Sequence, residues 1–211
     1  MKHLKVLTIV IALSALTKIQ AQHIEISPIA GYNFDESFDI DYGEAKIGDG
    51  LVYGGILAFN VNPNYDVELL YTHQDATGSF RYYNIIEYYD NDIPVGINYI
   101  QIGGARLKDF KGGQVQGFGG LNLGAVWVAP DESGYDDAWR AAVGFKLGVK
   151  IWASERIGIR LQTNLQMPIQ AWGGSIYVGT GGSGAGVSTY STITQFGFTG
   201  GLTFKLGKST E

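Results

Sequence analysis

Three groups of side chains in this 211-residue chain are chemically equipped for more than packing. His73 and Ser79 set an imidazole six positions from a hydroxyl, the beginnings of a base-activated nucleophile, as a lipid-modifying hydrolase would need. No orienting carboxylate stands at a telling spacing, and a histidine resting at an interface explains His73 equally well. A second group, Asp35, Glu36, Asp39, Asp41, Glu44 and Asp49 with Asp131, Glu132, Asp136 and Asp137, offers hard oxygen ligands that would suit calcium. Their spacing matches no EF-hand loop, so solvated acidity is the simpler reading. The third group is Tyr82, Tyr83, Tyr88 and Tyr89, interleaved with Arg81, Glu87, Asp90 and Asp92. Aromatics in a long connection are a common basis for recognition, although they also serve as packing.

The other notable charges, Glu25, Asp66, Glu68, Arg140, Lys146, Lys150, Arg160 and Lys205, share a property that depends on the elements carrying them. Read at every second position, the two segments between residues 139 and 169 are apolar but for one threonine: Trp139, Ala141, Val143, Phe145, Leu147, Val149 and Ile151, then after a turn Ile157, Ile159, Leu161, Thr163, Leu165, Met167 and Ile169. The intervening set holds Arg140, Lys146, Lys150, Arg160, Gln162, Asn164 and Gln166. A period of two marks extended strands with two unlike faces, and residues 153–156 make the pair a hairpin. Each strand is longer than the roughly 9–11 residues a tilted strand needs to cross a bilayer.

The same alternation recurs over residues 24–34, 51–61, 65–73, 114–128 and 192–206, and more weakly over 95–107, whose phase the sequence leaves open. The expected fold is therefore all-β, an eight-stranded antiparallel up-and-down transmembrane β-barrel. Its connections alternate long and short, as in bacterial outer-membrane barrels with short periplasmic turns and long external loops. Trp127, Trp139, Tyr32, Tyr53 and Tyr71 fall near one rim and read as an aromatic girdle. A soluble barrel with inverted polarity has the same periodicity. Against it stand the many glycines of the polar phase, among them Gly120, Gly124, Gly144, Gly148 and Gly158, which leave room for long charged side chains in a narrow lumen.

Residues 1–21 read as a secretory signal peptide, with Lys2 and Lys5 ahead of the apolar run 6–16 and Ala21 before the cut, leaving 22–211 as the barrel domain. Removing Lys2, Lys5 and Lys18 takes the formal charge from −5 to −8, which argues against a nucleic-acid partner. The absence of cysteine removes thiolate metal sites and cysteine nucleophiles, and with so few histidines a zinc site is not expected. No cofactor is expected either. Gly179, Gly181 and Gly184 satisfy a dinucleotide spacing but lie in a glycine-rich stretch with no helix after it; Gly207, Lys208 and Ser209 follow Leu202 where a phosphate loop needs glycine.

Taken together, these strands resemble the outer-membrane β-barrel protein family common in Bacteroidota, architectural relatives of the small OmpA-type and OmpX-type barrels. Thr199, Gly201, Phe204 and Leu206 look like the terminal-strand signal read by the barrel assembly machinery. The resemblance implies a cell outer membrane location, with outer-membrane lipid, the assembly machinery and an extracellular ligand or host surface as partners. The expected function is a nonenzymatic barrel displaying loops for surface interaction, adhesion or envelope integrity. The alternatives are a narrow porin-like channel, selective for anions because inward cations outnumber carboxylates, and an interfacial hydrolase built on His73. The inward charges would form a lumenal polar network, and Tyr82, Tyr83, Tyr88 and Tyr89 a surface-recognition loop.

Overall fold

The computed structural model describes residues 23–40, 43–82, 93–131, 137–169 and 194–207. Its strands are β1 (Ile24–Asn33), β2 (Glu36–Ile40), β3 (Gly43–Ile47), β4 (Gly50–Asn62), β5 (Tyr65–Tyr82), β6 (Ile93–Phe110), β7 (Val115–Pro130), β8 (Ala138–Trp152), β9 (Ile157–Ile169) and β10 (Gln195–Leu206). Eight of these, β1 and β4 to β10, pair antiparallel in a closed ring. Closure is made by β10 returning to β1, from Ile24 opposite Leu206 to Asn33 opposite Gly197. Full closure leaves the wall without an open edge.

Local chemistry sets the tight turns, all at one end of the barrel. The Asn62 side chain accepts the Asn64 N–H at 2.9 Å, and Ser154 Oγ accepts the N–H groups of Arg156 and Ile157 at 3.3 and 3.1 Å. Between β6 and β7, Gly112 and Gly113 take positive φ angles of 66° and 88°, which favour glycine over any residue with a Cβ.

Polarity is inside out. Leu51, Leu123 and Leu147 on the outer wall are 59–68% exposed, whereas the inward Lys150 and Arg160 are fully buried. That distribution excludes the soluble barrel of inverted polarity, which would have placed leucine within. Trp127 stacks on Trp139 with ring centroids 4.9 Å apart, Tyr71 lies 6.3 Å from Trp127, and Tyr32 packs edge-on to Phe34. These rings form an aromatic girdle toward the long-loop end.

Three features depart from the sequence expectation. First, part of the long stretch after β1 is ordered as strands: β2 and β3 pair as a hairpin, and β3 pairs with residues 78–82 of β5. The second long connection is likewise shorter than expected, because β5 runs to Tyr82 and β6 begins at Ile93. Second, β6 acquires an orientation, with Ile97, Tyr99, Gln101, Ala105 and Leu107 inward and Ile100 and Ile102 outward. Its phase is obscure in sequence because the lumen is apolar at its outer end, where Ile97 and Tyr99 meet Ala76, Val126 and Ala142. Third, glycines of the inward phase have two causes. A Cβ on Gly144 would lie 2.7 and 2.9 Å from the side-chain oxygens of Gln166 and Gln101, so this glycine does make room for lumenal side chains, whereas one on Gly148 would meet both the Leu161 carbonyl oxygen at 2.3 Å and the Phe118 ring at 2.5 Å. A Cβ on Gly120 or Gly124 would instead lie 2.1 Å from the carbonyl oxygen of Gly104 or Ile100, so these two allow adjacent strands to approach.

Candidate functional site

Period-two alternation projects polar side chains from β1, β5, β8 and β9 into a space too narrow for water to solvate each separately. The charged groups among them satisfy one another across the lumen. Glu68 on β5 holds Arg160 on β9 in a bidentate pair, both contacts 3.0 Å, and accepts from Lys146 on β8 at 2.5 Å. Lys146 also donates to Asn122 at 2.8 Å. Closer to the tight turns, Lys150 reaches Glu25 at 2.5 Å and Asp66 at 2.9 Å. The Phe118 ring lies beneath the Arg160 guanidinium, 4.2 Å from its centroid. Three carboxylates and three cations therefore balance, every one of them buried.

Amides extend the network outward. Arg160 donates to Gln162 at 2.6 Å, Gln162 to Asn164 at 2.7 Å, and Asn164 to Thr199 at 3.0 Å. A second amide group joins Asn33 and Gln195 as donors to Gln74 Oε1, at 2.7 and 2.8 Å. Above it the apolar cluster around Tyr99 completes the filling. Burial of such charges is tolerated because each has an opposite partner and hydrogen bonds.

Six of the eight charges expected in the lumen are brought together in this way: Glu25, Asp66, Glu68, Lys146, Lys150 and Arg160. Arg140 is not among them. It lies near the start of β8, beside the rim, and its guanidinium donates to the carbonyl of Trp139 at 2.8 Å. Alternation fixes which way a residue faces, but near the rim an inward-phase arginine has shorter routes to water and backbone. Lys205 also stands apart, with Nζ 3.7 Å from the centroid of the Trp152 ring. Within the paired network cations and carboxylates are equal in number, so the expected cationic excess rests on Arg140 and Lys205 alone.

The sequence reading missed Phe118, Tyr99 and Gln74. Phe118 had a signal in the inward phase of β7, where an aromatic ring between glycines needs cations or space opposite it.

The remaining candidates separate. His73 points outward from β5, its Nδ1 2.8 Å from Asn98 Oδ1 and its Nε2 3.1 Å from Asp75. Ser79 lies six residues further along the same strand, about 20 Å at strand rise, so the two cannot act on one bond. Asp35 pairs with Lys46 at 2.6 Å, and Asp49 accepts from the Tyr32 hydroxyl. Hydrogen bonding and attraction from Lys46 hold the Asp35 carboxyl below its ordinary range. Among the described residues no three His, Asp or Glu side chains cluster to hold a metal. Tyr82 ends β5, while Tyr83, Tyr88 and Tyr89 lie outside the described residues.

With this geometry in place, comparison with solved structures identifies the architecture. The outer membrane protein OprG from Pseudomonas aeruginosa superposes with a TM-score of 0.62 at 11% identity, covering 89% of this chain and 97% of that one. The chain has the fold of an outer-membrane β-barrel. Neisserial surface protein A gives a TM-score of 0.56 at 14% identity, over 88% of this barrel and 97% of that chain. No protein-family profile and no curated protein matches the sequence.

Proposed function

We propose that the chain is a nonenzymatic barrel of the cell outer membrane, a closed and rigid stand for surface elements that mediate interaction, adhesion or envelope integrity. The balanced, fully buried ion network carries this reading, because a lumen spanned by six mutually paired charges favours a support over a conduit. The elements displayed are the β2–β3 hairpin, the outer end of β5 and the connection after it, including Tyr82, Tyr83, Tyr88 and Tyr89 as the recognition group. A leader of residues 1–21 directs export and is removed, and the barrel assembly machinery reads Thr199, Gly201, Phe204 and Leu206 on β10.

The test pairs two measurements on one protein. Refolded barrel, verified by heat-modifiable gel migration, is expected to leave a planar bilayer silent. Bacteria displaying it are expected to adhere to a cultured epithelial monolayer and to lose that adhesion when residues 83–92 become a glycine-serine segment of equal length. Discrete conductance steps altered by Lys146→Glu would instead establish the porin-like channel, and adhesion unaffected by the loop replacement would remove the recognition role.

A further inference from the structure

The outward stripe of the eight barrel strands is apolar or uncharged from the aromatic girdle down to the tight turns, with two exceptions. Both are on β6: Arg106 and Lys108 occupy the outward phase of a strand whose other outward residues include Ile100, Ile102 and Phe110. Among the described residues neither has a carboxylate within ion-pair distance. The nearest acidic neighbour in sequence, Asp109, has the opposite phase and accepts a hydrogen bond from Gln116 at 2.7 Å. Lys108 Nζ lies 5.4 Å from the centroid of the Phe110 ring.

What faces these cations is as unusual as the cations. Across the β6–β7 ladder Arg106 stands opposite Gly119 and Lys108 opposite Gly117, so β7 contributes no side chain there; the Phe110 ring leans over Gly117, 3.1 Å from where a Cβ would stand, and Gly119 is left as the open part of the wall. A crevice of about 890 Å³ results. Its floor is Gly117 and Gly119, one bank is the two cations with Phe110, and Leu147 of β8 forms the other. It opens on the outer wall near the tight turns, the end that lies at the periplasmic leaflet in barrels of this kind.

We propose that this crevice is a binding site for an anionic phospholipid of the periplasmic leaflet. The phosphate is held between the Arg106 guanidinium and the Lys108 ammonium, and an acyl chain lies in the trough over Gly119, between the Phe110 ring and Leu147. An isolated cation on a lipid-facing wall is unfavourable in hydrocarbon and must find water or an anion. A phosphate at headgroup depth supplies the anion and forms charge-assisted hydrogen bonds with both groups. The trough supplies what a free phosphate does not use, an apolar concavity continuous with the acyl region. This inference rests on the chain spanning a bilayer, and it is independent of whether the loops bind a surface.

Native mass spectrometry of the folded protein, released from micelles containing equal phosphatidylglycerol and phosphatidylcholine of identical acyl chains, tests it. One retained phosphatidylglycerol is expected, preferred about tenfold, whereas glycerol phosphate without acyl chains leaves no adduct. Arg106→Gln with Lys108→Gln should abolish the preference. Gly119→Leu fills the trough and should weaken retention of the same lipid with both cations intact; the built Cβ meets Leu147 Cδ1 at 3.4 Å and the Lys146 carbonyl oxygen at 3.8 Å, both ordinary contacts, so the wall accommodates it. Arg156→Gln, in the β8–β9 turn, should change nothing. Equal retention of both lipids by the unaltered protein, or undiminished preference in the double variant, would overturn the proposal. Glycerol phosphate binding as well as the lipid would reduce the site to a phosphate site without a trough.

Discussion

Glu68 is the residue on which the lumen turns, because it binds two cations from two different strands, Lys146 of β8 and Arg160 of β9. Glu68→Gln would leave two buried positive charges facing a neutral amide. Removing one partner from a buried ionic group costs about 3–5 kcal/mol, so urea unfolding in micelles should shift to correspondingly lower denaturant. Restoring balance with Glu68→Gln and Lys146→Met together should recover part of that loss. Asp35 gives a second prediction, outside the wall. Lys46 lowers its carboxyl pKa, so the pair's contribution is present above the ordinary value of 3.8 and is lost as pH falls through the depressed folded value. An NMR titration of the Asp35 carboxyl should show its midpoint below 3.8, and Lys46→Met should return it to the ordinary value. The residue-level content of the sequence was legible where side chains lie deep in the lumen. There, as at Lys146 and Arg160, facing inward leaves a charge no partner except another lumenal group. It was not legible at Arg140, which shares their phase but has the backbone of Trp139 within reach.

Strands differ in how openly their sequence declares them. β8 and β9 alternate cleanly because their inward residues are polar or small along most of their length, against large apolar residues outward. β6 does not, since its inward residues change from Leu107 through Gln101 to Tyr99 and Ile97 as the filling of the lumen changes from ionic to apolar. The β2–β3 hairpin was hidden for another reason. Residues 35–49 are dense in carboxylates and look like a solvated loop, yet backbone pairing to the far end of β5 requires no apolar face. Strand packing also yields a prediction of its own. At Gly124 the obstacle to a side chain is the neighbouring backbone, 2.1 Å from an added Cβ, and backbone cannot rotate away as a side chain can. Gly124→Val should therefore sharply lower the fraction of protein that becomes heat-modifiable on refolding. Gly119→Leu, facing outward on the same strand, should leave that fraction unchanged.

At the scale of the whole molecule, the lumenal ion network bears on both rigidity and the proposed lack of conductance. Charges joined across the lumen tie β5 to β8 and β9, and β1 to β8, so widening the passage would break several ionic contacts together. Conductance is accordingly expected to stay absent in the unaltered protein until the applied voltage disrupts the membrane itself. Closure has a further consequence in time. β1 and β10 are neighbours in the wall, though the chain between them comprises nearly the whole barrel. Until Gln195–Leu206 has been synthesised and delivered, both β1 and β9 carry unpaired backbone in a milieu that cannot satisfy it. A message truncated ahead of β10 would consequently produce a sheet with two adhesive margins, a ready target for periplasmic chaperones and proteases. The twelve residues of β10 thus act as a closing check, since only a chain translated through them can rid itself of those margins.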